Sequence, residues 1–482
     1  MSKSMPMRLA AMVAAICTLQ ACAIPAISTR QADTALPAQF EGAAATGQSA
    51  AAINWQTFFV DPNLATLIDI ALADNKEVNI LLQRMQRAAN EIQARKGEYL
   101  PFVGVGAAAD ADKVGEFTRS GAVEEQLTIR EDEEFPEPLA NFEAGLRASW
   151  ELDVWKKLRN ATQVATLEYL ATAEGRNFVV TNLVAEVANA YYELMALDNQ
   201  LQNLDRNIEI QQNALQVTRE LQAFGRTTSL AVNRFEAEVD KNLSERFAIN
   251  QRIVATENHL NLLLGRTPQP ISRSSDALMT LEPAMVEAGI PSQLLANRPD
   301  IRRAELELRA ARLNIDVARA NFYPSFAIRA GVGFEAFKPQ YLLDTPASLA
   351  YSLGGDVMAP LVNRNAIEAL YKDASAAQIE AAYDYEQTII NAFSEVSTKV
   401  AEIDNLAQGY ALKVDQVAAL NASVDVAGQL FTAARADYLE VLLAQREALE
   451  ARSELIETRQ QQMSAVVDLY RALGGGWQQG DN

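Results

Sequence analysis

The chain has 482 residues, enough for one large domain or several, and 42 Lys and Arg residues against 62 Asp and Glu residues give it a net charge of −20. A surface this acidic disfavours nucleic acid as a partner, because phosphate binding needs a basic surface. With two cysteines and one histidine, the chain is also poorly equipped for disulfides or soft-metal ligation.

The first residues have the features of an export signal. Lys3 and Arg8 precede the apolar stretch "LAAMVAAICTL". This stretch is shorter than the about 20 residues that a helix needs to cross a bilayer. We therefore interpret residues 1–21 as a signal peptide.

The stretch "LQAC", which ends at Cys22, resembles the bacterial lipobox, in which the cysteine is lipidated and becomes the first mature residue. Cys22 is therefore the predicted lipidation site, held in outer-membrane lipid by several acyl chains. Ala23 resembles the signal that sorts lipoproteins to the outer membrane. An ordinary signal peptide cut near Ala21 is the alternative. Residues 22–54 are small, polar and proline-containing, as expected of a lipid-anchored tether.

Proline is absent from two long tracts, one between Pro138 and Pro268 and one after Pro360. Apolar residues recur there every three or four positions, which predicts helix almost throughout, with breaks near Gly225 and Ala434. Each tract is thus predicted to be a long helix, a tight turn and a shorter helix. The predicted helices span 156–222, 228–264, 364–433 and 437–472, with a further helix at 64–98; the two longest are each about 100 Å long at 1.5 Å per residue.

The two halves of the sequence repeat. Glu186 and Arg226 recur 209 residues later as Glu395 and Arg435, and Pro101 recurs 223 residues later as Pro324. Constant spacing over a long stretch indicates duplication, and the change of offset places 14 extra residues in the first half, around the acidic stretch "EDEEFPEP", a predicted exposed loop. The predicted organisation is a first repeat at 55–265, a linker or equatorial segment at 266–290, a second repeat at 291–473 and a tail at 474–482.

Each repeat holds two segments in which apolar and polar residues alternate, as in a β-strand with one apolar face. Strands are predicted at 101–112, 141–155, 324–335 and 350–362. Their length of about ten residues fits membrane-crossing strands, although a soluble antiparallel sheet shows the same alternation. In lipid, four strands would leave unpaired edges, so the membrane interpretation requires an oligomer. The charged face carries Glu143, Arg147, Glu151, Asp153, Arg329 and Asp356.

No arrangement of residues points to catalysis, to a cofactor or to a metal site. His259, the single histidine, lies in a helical stretch. We interpret it as a helix-surface residue, because a catalytic role would need an oriented partner and a pocket. An enzyme is therefore the least favoured class of function.

Five motifs resemble those of one family. In them the chain resembles the outer-membrane channels of tripartite efflux systems, the TolC-like family, in its lipoprotein branch related to NodT and OprM. The resemblance spans essentially the whole mature chain. The motifs are "WQTFFVDPNLATLIDIALADN", "WELDVWKKLR", "AEVANAYYEL", "LLANRPDIRRAELELRAARLNIDVARANFYPS" and "DLYRALGGGW".

The resemblance implies a mainly α fold with a membrane β-barrel. Long antiparallel helices would form a periplasmic α-barrel, and four strands per chain would close a 12-stranded barrel in a homotrimer. The implied function is a passive exit duct for small toxic compounds, which works with a periplasmic adaptor protein and an inner-membrane RND pump and uses no cofactor. A polypeptide-secretion channel of a type I system and a coiled-coil envelope lipoprotein without a pore are the alternatives.

In this family the helix turns farthest from the membrane meet the adaptor and form the closed entrance. The matching segments are 221–231 and 430–443. The resemblance therefore makes Gly225, Arg226 and Ala434 candidates for the adaptor-docking turns.

The gate candidates are Asp437, Glu440 and Arg435. The two acids are three residues apart, hence on one helix face, and in three copies they would form carboxylate rings that favour cations. Arg435 could tether closed ends by pairing with a neighbouring carboxylate. The alternative is that these acids only solvate or cap the end of the helix.

The sequence departs from the family pattern at both junctions between strand and helix. Lys156 stands where the family usually has glycine, and "PLVNRNAI" at 360–367 replaces a glycine-rich turn. These departures predict altered local geometry within the same fold.

Overall fold

A computed structural model describes residues 24–42, 49–130, 133–134, 136–433 and 435–478. The signal peptide and Cys22 lie outside the described residues. The chain forms two compact units. The first comprises Met1–Gln31, Arg87–Tyr169 and Glu307–Ala382, and the second comprises Ala32–Gln86, Leu170–Leu306 and Tyr383–Asn482.

The main elements follow the predicted order, with long helices on either side of paired strands. In chain order they are α1 (Pro62–Asp74), α2 (Lys76–Tyr99), β1 (Phe102–Asp112), β2 (Leu139–Glu151), α3 (Lys157–Ala223), α4 (Ser229–Leu263), α5 (Pro299–Ala320), β3 (Ser325–Ala336), β4 (Leu349–Met358), α6 (Asn365–Thr432) and α7 (Tyr438–Ala472). Short helical segments lie at Ala50–Ala52, Trp55–Phe58, Arg119–Glu124, Ser275–Ala277, Pro291–Gln293, Leu294–Asn297 and Pro339–Tyr341, and a short strand pair lies at Thr128–Arg130 and Glu133–Glu134.

The duplication extends to the ends of the helices. Gly265, just after α4, and Gly474, just after α7, both have positive φ, +67° and +92°. A side chain on Gly265 would overlap the carbonyl of Asp74, and one on Gly474 would come within 2.5 Å of the carbonyl oxygen of Asn297. Positive φ and lack of space both demand glycine, so the two repeats end their hairpins by the same device.

The four long strands form one antiparallel sheet in the order β1-β2-β3-β4. Its register sets Val105, Leu146, Val332 and Tyr351 side by side across all four strands, and all four are exposed. Because side chains alternate between the faces of a sheet, this register places the apolar residues on one face and the charged residues on the other, as the alternation predicts.

Two strands end earlier than predicted. β2 ends at Glu151 rather than at 155, and β4 ends at Met358 rather than at 362. After β2, the Asp153 carboxylate accepts hydrogen bonds from the first N–H groups of α3, the nearest 2.9 Å away, so the chain has already turned toward the helix. After β4, Pro360 has no N–H for a ladder. The other two strands begin one residue later than predicted.

Both departures from the family pattern coincide with left-handed backbone. Lys156 has φ +59° and Asn363 has φ +56°. Asparagine tolerates this conformation, whereas lysine adopts it at a cost. The turn that glycine would make freely is therefore retained at Lys156 without glycine.

The predicted tether is packed against helices along part of its length. In the first unit, the buried Gln378 of α6 accepts the Arg30 N–H at 2.9 Å and donates to the Arg30 carbonyl at 2.7 Å. In the second unit, the buried Phe40 stacks on Phe393 with ring centroids 5.4 Å apart. Segment 24–40 is thus held by specific contacts despite its small, polar composition.

The equatorial segment is fixed to α3 and α4 by one arginine. Arg273 lies 2.6 Å from an Asp198 oxygen on α3 and 2.6 Å from a Glu257 oxygen on α4. Hydrogen bonding to Asp198 raises the pKa of Arg273, burial opposes this, and Glu257 adds to the increase. The ion pairs hold this segment against the hairpin formed by the two helices.

The "RPDIR" motif forms a second buried charge network at the end of α7. Arg298 is 7% exposed, lies 2.7 Å from oxygens of Asp300 and Glu395 and donates to the Ala472 carbonyl at 2.7 Å. Burial lowers the pKa of Arg298, but the two carboxylates more than offset this and raise it. The motif thus ties α5, α6 and the C-terminus of α7 together.

Among the described residues, no helix is both long enough and apolar enough to cross a membrane.

We expect Arg298→Ala to lower the free energy of unfolding by about 3–5 kcal/mol, because removing one partner leaves buried charge uncompensated. Arg298→Lys should fall between this variant and the unmodified chain, since lysine cannot form the same planar pairs. The measurement is thermal unfolding of the purified protein in detergent. Arg446→Ala is the control, because its pair with Glu450 is exposed and 3.9 Å long; equal effects of Arg298→Ala and Arg446→Ala would contradict the assignment.

Candidate functional site

The two tight turns between long helices are the predicted site. In the first, Gly225 has φ +72°, its N–H bonds to the Gln222 carbonyl at 2.9 Å, and the Arg226 N–H bonds to the Leu221 carbonyl at 2.8 Å. This pair of bonds is a Schellman motif, which closes a helix through a residue with positive φ. Gly225 is therefore required by the turn itself.

The second turn repeats the second of these bonds, which joins residues five positions apart. The Arg435 N–H bonds to the Leu430 carbonyl at 2.8 Å, 209 residues after its counterpart. Ala434, the predicted docking residue at the position of Gly225, lies outside the described residues.

The two turns lie at the same end of the second unit and share one apolar cluster. This tip cluster consists of Leu215 on α3 and Val232, Phe235 and Val239 on α4, with Tyr438 and Leu442 of α7 packed against it. The rings of Phe235 and Tyr438 lie 6.5 Å apart. The starts of α4 and α7 are therefore held together directly beneath the turns.

The predicted gate acids lie at the start of α7. Asp437 is the N-cap residue, and its side chain makes no capping hydrogen bond; Glu440 is in the first turn, with its N–H 3.1 Å from the Asp437 carbonyl. The extended φ and ψ of Asp437 place it at the cap, one residue before the helix that holds Glu440. Both side chains are exposed, and the positive end of the helix dipole favours them there.

The predicted arginines are also exposed. Arg435 and Arg226 have no ion pair within 4.0 Å among residues that the structure describes. The first turn has Thr228 and Ala231 at the positions of Asp437 and Glu440, so these acids belong to the second hairpin only.

Sequence reasoning missed one residue at the first turn. Phe224, next to Gly225, is 81% exposed, and Leu230 on the other side of the turn is 56% exposed. In the sequence, the phenylalanine directly before the turn glycine was the feature that indicated an exposed apolar residue here. These side chains give the first turn an apolar surface.

The charged face of the sheet lies in the first unit. Arg147 pairs with Glu143, and Arg329 pairs with Asp356 at 3.1 Å. This face borders a concavity of about 690 Å³. Glu151, also predicted on this face, pairs across the ladder with Ala327, and Asp153 follows the strand. Five of the six predicted charged residues therefore share one side of the sheet, and Asp153 lies beyond the end of β2.

The part of the chain that the structure describes shows no metal centre. Within the described ranges, no three His, Cys, Asp or Glu side chains are arranged to hold a metal ion. His259 lies on α4 with 45% of its side chain exposed, 3.2 Å from Glu186. An exposed pair of this kind contributes about 1 kcal/mol or less, in keeping with a surface role.

Comparisons with known proteins converge on one family. The family described as outer membrane efflux protein matches residues 67–266 and 290–475. The cation efflux system protein CusC of Escherichia coli O6:H1 is 29% identical over 428 residues, 88% of each chain. The toluene efflux pump outer membrane protein TtgI of Pseudomonas putida is 28% identical over 427 residues, again 88% of each chain. A crystal structure of CusC superposes with a TM-score of 0.80 at 26% identity, covering 94% of this chain and 99% of that one.

We expect Gly225→Ala to destabilise the tip by about 1 kcal/mol, because a Cβ disfavours positive φ. Gly409→Ala is the matched control: Gly409 is on α6 with open space around it, so alanine there should stabilise by about 0.5–1 kcal/mol. Hydrogen exchange of residues 221–231 reports the local effect. Unchanged exchange in Gly225→Ala would contradict the role of this glycine.

Proposed function

The chain belongs to the outer membrane efflux protein family, and from that premise we propose that three copies assemble into one channel. The chain is an outer-membrane channel component of a tripartite efflux system and not an enzyme, as the family and its relatives establish. The resemblance found in the sequence is thereby confirmed. The assembly, its partners and its gate are the proposal.

The observation that carries the trimer is the four-stranded sheet with two free edges. β1 and β4 each pair on one side only, while the exposed apolar residues lie together on one face. An unpaired strand edge in lipid leaves backbone groups without partners at high cost. Pairing β4 of one copy with β1 of the next removes every edge, and three copies give a closed 12-stranded barrel of an ordinary size.

Aromatic residues support this placement. The Trp150 and Trp155 indole N–H groups donate to the carbonyls of Tyr99 and Pro324 at 3.0 and 2.7 Å, and Trp155 stacks on Tyr323 at 4.6 Å. These residues lie where helices meet strands. Aromatic girdles mark the interface between membrane and water in such barrels, so we place the periplasmic surface of the outer membrane here.

The assembly is tested on the full-length protein extracted in detergent. We expect a trimeric mass and, after insertion into planar bilayers, stepwise ion conductance. Gly333→Ala should abolish both, because the added Cβ would lie 2.5 Å from the Ala144 carbonyl oxygen. Gly106→Ala should preserve both, since no atom lies within 4 Å of its Cβ position. A monomer with no conductance would favour the coiled-coil lipoprotein without a pore.

The periplasmic adaptor is proposed to dock on the turns at 221–231 and 430–443. What supports this is their position beyond the tip cluster and the exposed apolar side chains of Phe224 and Leu230. The adaptor would link the channel to an inner-membrane RND pump, which supplies the energy. Gly225→Ala should weaken capture of the adaptor, whereas Gly409→Ala should retain it.

The gate is proposed to include Asp437 and Glu440, with Arg435 beside them. In a trimer the exposed acids would repeat three times around the pore axis, and carboxylate rings favour cations over anions. We propose small toxic compounds as the cargo. The relatives are named for compounds as different as cations and toluene, so selection is assigned to the pump rather than to this duct.

Replacing both acids, Asp437→Ala with Glu440→Ala, should lower the ratio of cation to anion permeability severalfold and change single-channel conductance. The reason is loss of negative charge where the pore is narrow. The control is Glu447→Ala with Glu450→Ala, two exposed acids farther along α7. Reversal potentials in salt gradients give the ratio. The gate assignment fails if the first pair of substitutions behaves like the second.

A further inference from the structure

Polar side chains are buried in the α3–α4 hairpin between two apolar clusters, which Leu243 of α4 also joins because it packs against both. On one side of these polar side chains is the tip cluster. On the other is a second apolar cluster, here the inner cluster, formed by Leu197, Leu204 and Ile208 of α3 and Ile249 of α4, with Leu449 of α7 packed against it. In paired helices, apolar residues normally continue along the whole contact face.

Three buried amide side chains occupy the level between the clusters. Gln211 lies one turn from both Ile208 and Leu215 and is 0% exposed. Asn242 faces it from α4 at 3% exposure. Gln445 of α7 is 7% exposed and lies one helical turn from Leu442, which contacts the tip cluster, and one from Leu449, which contacts the inner cluster. We call Gln211, Asn242 and Gln445 the amide layer.

The amide layer is incompletely hydrogen-bonded. Asn242 Nδ2 donates to Gln211 Oε1 at 2.7 Å, whereas Gln211 Nε2 and Gln445 Oε1 have no partner among the described residues. Leaving a buried donor or acceptor unpaired is destabilising. The two leftover atoms are one donor and one acceptor, so each is what the other lacks. A further unpartnered donor, Asn207 Nδ2, lies one turn from Gln211 on α3.

The second hairpin shows that the fold does not need these amides. The residues 209 positions after Gln211 and Asn242 are Leu420 and Ala451. Ala451 belongs to an apolar cluster between α6 and α7 that also contains Val417 and Leu455, and Leu420 packs against this cluster. One repeat thus has an apolar contact where the other has a polar one.

We propose that the amide layer is a conformational switch for the entrance, which rests on the proposed function of this chain as a gated channel. A small rotation or slide of α7 against the α3–α4 hairpin pairs Gln445 with Gln211. The packing seen in the structure pairs Gln211 with Asn242. The shifted packing gains a hydrogen bond while it moves the N-terminus of α7, where Asp437 and Glu440 lie. Buried polar residues between packed helices fix how the helices align, at a cost in stability. Here the cost is that of the two unpaired amide atoms, and it favours a second packing in which they pair.

The direct test places the residues of the second hairpin in the first. Gln211→Leu with Asn242→Ala should raise the unfolding temperature, lower channel open probability severalfold and increase hydrogen-exchange protection of residues 438–449. The reverse exchange, Leu420→Gln with Ala451→Asn, should lower the unfolding temperature and raise open probability. Gln212→Leu, an exposed neighbour on α3, is the control and should leave open probability unchanged.

The outcomes separate the switch from the channel. If the unmodified protein conducts and Gln211→Leu with Asn242→Ala opens as often as it does, the switch is refuted while the channel stands. If no variant conducts, the channel proposal fails, and hydrogen exchange still decides the switch. Protection of residues 438–449 that is unchanged by these substitutions would refute a role for the amide layer in moving α7.

Discussion

Helices of 67 and 68 residues, α3 and α6, depend on being covered by other helices. A long helix gains little from its own hydrogen bonds in water, and its stability in a protein comes mainly from packing of an apolar face. The covering helix must return along the first, so the turn between them must be tight. The hydrogen bonds to the Leu221 and Leu430 carbonyls close that turn in both repeats. The apolar clusters between the helices provide the packing.

Duplication provided the two hairpins, and substitution then gave them different chemistry. Asn75 in the first repeat donates to the Leu263 carbonyl at 2.8 Å, and Arg298, its counterpart 223 residues later, donates to that of Ala472 at 2.7 Å. In both cases the side chain donates to a backbone carbonyl at the C-terminal end of the second helix of the hairpin. Arg298 additionally pairs with Glu395, whereas the matching Glu186 meets only an exposed histidine on α4. At this pair of matching positions, the second repeat is therefore the one with a buried ion pair.

The sequence revealed those features that a periodic pattern encodes. The ends of the four longest helices were predicted to within about one residue, because a period of 3.6 sustained over dozens of residues is a strong signal. The single helix predicted at 64–98 was wrong, because the chain leaves the helical conformation at Asn75 and forms two helices. The alternation in each strand likewise predicted which residues share a face. The ends of β2 and β4 were wrong by four residues each, because they depend on local turns, such as the one at Lys156, that no pattern encodes.

The site was less accessible to prediction for a related reason. Asp437 looks like a helix residue in sequence, and only its backbone angles show it to be a cap. Gln211 looks like one of many polar residues on α3, and its burial depends on which helices pack against it. Phe40 lies in a segment of tether-like composition, yet its partner Phe393 is 353 residues away. Contacts between distant residues decide all these cases.

The distribution of charge indicates where movement can occur in the second unit. The ion pairs of Arg273 and Arg298 are largely buried and join three or more chain segments, and breaking such pairs is costly. At the tip, Arg435, Asp437 and Glu440 are exposed. The buried contacts beneath them are apolar or amide, and the Arg219–Glu236 ion pair at this end is exposed. Apolar surfaces can slide and amides can exchange partners, whereas a buried ion pair cannot easily do either. A proposed entrance that opens at the tip therefore rests on a base that its own electrostatics hold fixed.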